Sequence, residues 1–331
     1  MKAIQLPQHG GSELLTIAEI DDPEIIEPTD VKVKLKAAGI NPVDTKIRSG
    51  AYPLNQFPFI LGCDGAGIIE ETGTEVTRFK QGDKVYFFHG GVGDISGNYA
   101  EYKVLDERFL AQKPESLDFI QAAAAPLVLL TAWESLFDRA HVDKDETVFI
   151  SAGAGGVGHV AIQLAKHVGA KVCTTVSSDE KASFVKDLGA DQIINYKEQD
   201  VLKGIMDWTN DKGVDMAMDN VGGKSLQEVF SLVKHYGDVV TLLQADNNID
   251  WSIARFRNIR FSMEVMLSPL LFGLIEAQKH QTWILEQCAE LFDTGKLCIH
   301  VSNVLPLERA SEAHRMLESG HAVGKIVLEH D

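Results

Sequence analysis

The sequence predicts an α/β protein built from two domains, a small, mostly β domain and a doubly wound parallel-sheet domain inserted into it. Three observations carry that expectation. The chain runs to 331 residues, beyond what one core usually organises. Its texture changes part-way, from short β-like runs punctuated by Gly, Pro and Asn to strands that alternate with amphipathic helices. The closing segment then returns to β character. The implied boundaries are 1–124 with 268–331 for the β domain and 125–267 for the inserted one.

The β domain is read from KAIQL, VKVKLKAAGI, GAGIIEE, DKVYFF and AEYKVL, each bounded by turn residues. An Ala-rich helical stretch, 121–139, leads into the second texture. There ETVFIS, AKVCTTV, ADQIINY, VDMAMDNV and GDVVTLL are nearly continuous in apolar character, as strands buried on both faces must be. GHVAIQLAKHVG, SDEKASFVKDLG and KSLQEVFSLVKHYG have helical spacing and end in the glycine that stops a helix. Beyond Asn258 come a strand, IRFSMEVM at 259–266, a long helix around 269–294, and a last strand at GKIVLEH. Returning this tail to the first domain places a ligand cleft between the two domains.

Composition excludes several partners. With 48 acidic against 31 basic residues, the net charge of −17 repels nucleic acid, and no local basic patch offsets it. The longest apolar run, AAAAPLVLLTAW at 122–133, is broken by Pro126 and falls short of the ~20 residues that span a bilayer. The start, MKAIQLPQHG, lacks the shape of a secretory signal. Cys63, Cys173, Cys288 and Cys298 have no metal-like spacing. A cytoplasmic protein is expected.

One turn carries chemistry. In TVFISAGAGGVGHVAIQLAKHVGAKV, Gly153, Gly155 and Gly158 stand in G-x-G-x-x-G spacing between a strand and a helix, with Gly156 and Val157 inside the motif. In that setting the glycines permit a tight turn and a close approach of backbone to a pyrophosphate, which then meets the helix N–H groups. The usual acid for a ribose 2′-hydroxyl, ~20 residues on, is missing: nineteen residues after Gly158 stands Ser177. No carboxylate there repels a 2′-phosphate, Lys181 follows one helical turn later, and Tyr196 ends the third strand, so NADPH is the expected cofactor. Ser177 has a second reading as a helix cap, since S-S-D-E places Glu180 at the reciprocal position of a capping box. Lys181 reads equally as a solvated lysine and Tyr196 as a half-buried strand residue.

Taken together, NPVDTKIRSGAYP at 41–53, LGCDGAGII at 61–69, QGDKVYFF at 81–88, NYAEY at 98–102, AGAGGVG at 152–158, LGAD at 188–191, MDNVGG at 218–223 and LPLERASEAHRMLESGHAVGKIVL at 305–328 resemble the medium-chain dehydrogenase/reductase superfamily. Within it they are most similar to the zinc-free quinone oxidoreductases of the zeta-crystallin type. The resemblance implies a GroES-like catalytic domain and a Rossmann domain. Zinc-dependent members carry ligands at positions matched here by Asn41, by Cys63 with Asp64, and by the stretch around Val128 and Leu129, so no metal is expected; a fortuitous site from Cys63, Asp64 and His89 is the alternative.

Without a metal to polarise a simple carbonyl, the acceptor is expected to be a quinone or another α,β-unsaturated carbonyl compound. By resemblance Asn41, Tyr52 and Lys46 are the catalytic candidates, and Thr131, Asn220, Gln244, Gly324 and Lys325 join the cofactor-lining set. Trp133 replaces a tyrosine-bearing run of the quinone reductases. Asp44 and Arg48 are read as a local pair, and the loop HGGVGDISGN, 89–98, as a flexible rim. The competing functions are an enoyl- or haloacrylate-type alkene reductase or alcohol dehydrogenase-like enzyme on the same scaffold, and a non-enzymatic NADPH-binding protein of the crystallin kind. A homodimer pairing through IRFSMEVM is expected, because an exposed apolar edge strand invites association.

Overall fold

The computed structural model describes residues 1–330. The chain divides into two compact units, Met1–Leu127 with Leu267–Asp331, and Val128–Met266. In chain order the first unit opens with β1 (Lys2–Gln5), β2 (Thr16–Glu19), β3 (Asp30–Ile40), α1 (Pro42–Ser49), β4 (Asp64–Thr72), β5 (Lys84–Phe88), β6 (Tyr102–Asp106), β7 (Ala111–Gln112) and α2 (Phe119–Ala124).

The second unit follows, from α3 (Pro126–Trp133) and a π-helical turn at Glu134–Arg139 through β8 (Thr147–Ile150), α4 (Gly156–His167), β9 (Lys171–Val176), α5 (Asp179–Asp187), β10 (Gln192–Asn195), α6 (Val201–Thr209), β11 (Val214–Asp219), α7 (Ser225–Leu232), β12 (Val233–Thr241) and α8 (Ser252–Phe256) to β13 (Arg260–Met263). The tail supplies α9 (Ser268–Leu271), α10 (Ile275–Asp293), β14 (Val301–Pro306), α11 (Ala310–Glu318) and β15 (Lys325–Glu329).

The first unit's main sheet runs β14-β15-β3-β4-β5-β7, with β6 paired to β3. Its long strand β3 shows why the tail returns: Val31, Val33 and Leu35 alternate into a core with Ile69, Val85, Phe87, Leu105 and Leu110, while its last residues pair with β15, Ile40 opposite Ile326. In the second unit six parallel strands run β10-β9-β8-β11-β12-β13. Strand order reverses between β8 and β11, and such a switch point is where an open α/β sheet binds ligands at its carboxyl edge. Phe149, Cys173, Ala217, Phe230 and Val239 fill the core beside it.

Several boundaries differ from the sequence expectation, each for a physical reason. Pro126 lacks the N–H that would continue a helix, so the 121–139 stretch splits into α2, α3 and the π-helical turn. The expected 269–294 helix breaks at Gly273, which adopts φ +62°. The helix read through Tyr236 ends at Leu232, and β12 begins at once. Two long-range contacts hold that register: Lys234 pairs with Asp215 of β11, and the Arg257 guanidinium donates to the carbonyls of Ser231 and Val233. IRFSMEVM forms the edge strand β13 only over Arg260–Met263. Among the described residues no helix is long and apolar enough to cross a membrane.

Candidate active site

The glycine-rich turn joins β8 to α4 at the switch point. Gly155 is the N-cap of α4, and Gly156, Val157 and Gly158 form its first turn, where backbone N–H groups have no intrahelical acceptor. A Cβ on Gly158 would lie 2.4 Å from the Ala152 carbonyl oxygen, and one on Gly153 would lie 2.1 Å from Thr174 Oγ1. At Gly155 the same carbonyl, at 3.2 Å, is the one atom within 4 Å, so that side of the turn is the least filled of the three. Two glycines therefore close the packing and the third leaves room for a ligand at the helix N-terminus, which fits a dinucleotide pyrophosphate.

The neighbouring strand ends carry the other predicted residues of this unit. Ser177 follows β9, and the cap of α5 is Ser178, whose Oγ accepts from Lys181 N at 3.3 Å. The capping alternative for Ser177 is thereby corrected: the helix starts one residue later, and Lys181 instead of Glu180 occupies the third position. Tyr196, after β10, is 54% exposed rather than half-buried. Asn220, after β11, is held by Ser151: its N donates to Ser151 Oγ at 2.8 Å and its Nδ2 to Ser151 O at 2.7 Å. Gln244, past β12, exposes its side chain, and its carbonyl accepts from Gly223 N. Thr131 is buried on α3.

The first unit brings together a different set. Asn41, Asp44, Cys63, Asp64, Tyr99 and His314 are each 0% exposed and Lys325 is 3% exposed. Asn41 N donates to Asp44 Oδ2 at 2.8 Å and Asn41 Nδ2 to Asp64 Oδ2 at 2.9 Å. Lys325 Nζ donates to Asn41 Oδ1 and to Ile40 O, the latter at 3.0 Å, and stands 3.5 Å from Asp64 Oδ2. Leu127 N reaches the other Asp64 oxygen at 2.8 Å. Asp44 also accepts from the Cys63 thiol at 3.6 Å and the Tyr99 hydroxyl at 3.4 Å, and that hydroxyl lies 3.2 Å from His314 Nε2.

Burial sets the electrostatics of this cluster. It raises Asp64 to about 6, the Lys325 ammonium being outweighed. Burial first, and then the charge of Asp64, raises Asp44 to about 7. The Cys63 thiol is pushed well up by burial and by the two carboxylates, and burial lowers Lys325. A catalytic zinc requires three protein ligands around an open position, and the carboxylates of this cluster are taken up by hydrogen bonds, Asp44 by Asn41 N, Cys63 and Tyr99 and Asp64 by Asn41 Nδ2 and Leu127 N, so the cluster as it stands does not fit the ion. His89 is stacked on Phe109 with ring centroids 5.5 Å apart, and no group of three metal-ligating side chains exists among the described residues.

Four expectations are corrected here. The Asn41 side chain is buried and both ends of its amide are bonded within the fold, its Nδ2 to Asp64 and its Oδ1 from Lys325, so it is held as part of this cluster instead of standing free toward an acceptor molecule. The Lys325 ammonium is buried between Asn41, Ile40 and Asp64, so it lines no cofactor surface. Beside it Gly324 holds φ +65°, and a Cβ there would meet the His300 carbonyl oxygen at 2.3 Å. Arg48 pairs with Glu318 of α11 and not with Asp44. The loop 89–98 is tied down: the buried Lys103 ammonium donates to Ser96 O, and Asn98 Nδ2 to the carbonyls of Gly62, Cys63 and His89. Tyr52 remains exposed beyond α1 and Lys46 half-buried on it. Asp44, Tyr99 and His314 were not anticipated as partners; only the N-x-x-D spacing at Asn41 hinted at Asp44, as a capping pattern.

Two family models match the chain, an alcohol dehydrogenase GroES-like domain over residues 27–115 and a zinc-binding dehydrogenase over 188–328. A quinone oxidoreductase of Pseudomonas aeruginosa is 32% identical over 327 residues, covering 99% of each chain. The chain belongs to the medium-chain dehydrogenase/reductase superfamily, in its quinone oxidoreductase group. Its first unit is the GroES-like domain of that superfamily and its second the Rossmann domain. A zinc-type alcohol dehydrogenase-like protein of Staphylococcus epidermidis is also 32% identical, over 309 residues and 90% of each chain. Among solved structures, an Escherichia coli quinone oxidoreductase complexed with NADPH superposes with a TM-score of 0.89 at 30% identity, covering 99% of this chain and 100% of that one.

Proposed function

We propose that this chain is a zinc-independent, NADPH-dependent oxidoreductase that reduces quinones or other α,β-unsaturated carbonyl compounds by hydride transfer. The observation that carries the reading is the open glycine turn at the β8/β11 switch point, with Ser177 in place of an acid at the end of β9. The solved Escherichia coli relative with NADPH supports the choice of cofactor. When bound, a reduced nicotinamide supplies a hydride, the two electrons and one hydrogen that such acceptors take up along with a proton.

The chain's own residues bind and orient. The N–H groups of Gly156, Val157 and Gly158 receive the pyrophosphate beside Gly153 and Gly155. Ser177, Lys181 and Tyr196 receive the 2′-phosphate. Thr131, Asn220 and Gln244 line the nicotinamide half, Asn220 being held in place by Ser151. The Tyr52 hydroxyl donates to the acceptor oxygen as negative charge grows there. Asn41 and Lys325 act from within, by holding the start of α1, the helix that carries Lys46 and leads to Tyr52.

The Cys63–Asp64 donor set, engaged as it is, supports zinc independence. A cytoplasmic homodimer is part of the reading, supported by buried free thiols at Cys63, Cys173 and Cys288 and by the β13 edge, where Met263 is 58% exposed. The test is NADPH oxidation with a panel of quinones and enones, before and after exhaustive chelation. Turnover abolished by chelation and restored by zinc, or no turnover with any acceptor, overturns the reading. Ser177→Asp should shift preference from NADPH toward NADH at least tenfold in kcat/KM; an unchanged ratio means that Ser177 does not meet the 2′-phosphate.

A further inference from the structure

Two buried polar atoms on packed helices have no hydrogen-bond partner among the described residues, Arg48 Nε on α1 and His314 Nδ1 on α11. Arg48 is 4% exposed and His314 0%. The Arg48 guanidinium pairs with Glu318, four residues after His314 and so on the same face of α11, and its charge acts on the His314 ring. Leaving such atoms unsatisfied is unfavourable. An Arg48 N–H can only donate, so a molecule between the two must accept from it.

The other nitrogen of the ring leads inward. His314 Nε2 lies 3.2 Å from the Tyr99 hydroxyl, which lies 3.4 Å from Asp44 Oδ2. Asp44 is faced by Asn41 before α1, Cys63 and Asp64 at the start of β4, Lys325 of β15 and Tyr99; His314 is faced by Arg48 and Tyr99. Two carboxylates thus stand against one ammonium, and a single proton balances the cluster. Asp64 is the carboxylate beside Lys325, at 3.5 Å, so Asp44 takes the proton more readily, at about 7 against about 6. Yet Asp44 has no exposure.

We propose that His314 and Tyr99 form a proton path from the α11 surface to Asp44, with a water held at its mouth between Arg48 Nε and His314 Nδ1. The mouth adjoins Glu318, whose side chain is 40% exposed. With Asp44 ionised, Tyr99 donates to Asp44, His314 Nε2–H donates to the Tyr99 oxygen, and Nδ1 accepts from the water. A proton from solvent then bonds to Nδ1, the Nε2 proton passes to the Tyr99 oxygen, and the former Tyr99 proton passes to Asp44 Oδ2. Each relaying residue loses one N–H or O–H bond as it gains another. Asp44 is neutralised, and His314 has changed tautomer without becoming charged. Burial favours that outcome, since it lowers His314 to about 3 and raises the Tyr99 hydroxyl well above its ordinary range.

The test is an NMR titration of the whole chain, with nitrogen-15 in the histidine rings, from about pH 9 to about pH 5, a range centred on the Asp44 transition. The His314 signals are assigned by their contacts with the Tyr99 ring, which meets the imidazole edge-on at 5.8 Å. They should show Nε2–H at the alkaline end and Nδ1–H at the acid end, each favoured at least tenfold, with the midpoint of the Asp44 carboxyl carbon. A single tautomer throughout, an imidazolium formed near the ordinary histidine pKa, or a separate midpoint overturns the proposal.

The wild type decides this without any buried substitution. In Tyr99→Phe the Asp44 transition should remain while His314 keeps one tautomer; coupled transitions there would also overturn the path. Crystals soaked in bromide at alkaline pH test the mouth. Water should remain between Arg48 and His314, whereas bromide seated there would demand Nδ1–H at a pH where the path requires a bare Nδ1, and the proposal fails.

Discussion

At the carboxyl edge of the parallel sheet the proposed binding groups are backbone N–H groups and side chains that, apart from Thr131 on α3, follow within a few residues of a strand end. In the GroES-like unit the polar cluster consists of buried side chains, drawn from positions as far apart as Asn41 and Lys325, 284 residues in sequence. In the first arrangement a changed side chain should alter affinity or preference, whereas a changed glycine should close the turn itself. The second tolerates none of its members alone, because a low-dielectric interior leaves each lost partner's charge or dipole unsatisfied. One region is therefore specified by backbone shape and the other by mutual saturation of polar atoms.

The largest expected effect breaks the first region. Gly158→Val places side-chain atoms where a Cβ already lies 2.4 Å from Ala152 O. Affinity for NADPH, followed by fluorescence titration, should fall by a factor of roughly a hundred or more, near the limit of detection, since the turn that presents the first N–H groups of α4 can no longer close. Wild-type affinity in that variant would mean that the turn is only a connection.

In the second region, Lys325→Met removes the one cation facing Asn41 and Asp64. Urea denaturation should show a loss of about 3–5 kcal/mol, as when one partner of a buried ion pair is deleted. Adding Asp64→Asn to it should recover part of that loss, and a double variant no more stable than the single one would argue against pairwise saturation.

The same cluster predicts a pH dependence absent from the sheet edge. Asp44 and Asp64 titrate at about 7 and about 6 in the folded chain, above the ordinary 3.8. Between 3.8 and about 7 the folded state then holds more protons than the unfolded state, so stability falls as pH rises through that window. Their contribution is full below 3.8 and is lost by about pH 7. The urea midpoint should be lower at pH 8 than at pH 5, and Asp44→Asn should flatten the slope; an upward slope would show that the cluster stays ionised throughout.

The smallest effect sharpens the boundary of the first region. Ser178→Ala removes the N-cap of α5 and should cost about 1 kcal/mol, whereas Ser177→Ala should leave the melting temperature unchanged. A reversed order would return the cap to Ser177.

Legibility in the sequence follows this division. The glycine spacing, the buried parallel strands and the helices stopped at Gly169 and Gly189 are local patterns, each written within one strand or helix, and all are in place. Ser178 in place of Ser177 is a one-residue error of the size that helix ends normally allow. Asn41 is a catalytic candidate only through the family resemblance, and its place before Pro42 reads locally as a turn residue. Its burial depends on β15 arriving from the far end of the chain, which no local pattern announces. Arg48 failed for the same reason: Asp44 is four residues away on the helix, but Glu318 lies opposite in space.

The sequence by itself determined the two sheets, the nucleotide-type turn and the family, because strand periodicity, glycine spacing and helix stops are set by backbone geometry within a few residues. Only the tertiary structure decided which polar groups face inward. It closed Asn41, Asp64 and Lys325 on one another and paired Arg48 with Glu318, since partner choice in a buried cluster depends on which distant segments pack together and on the need of every desolvated charge for a neighbour.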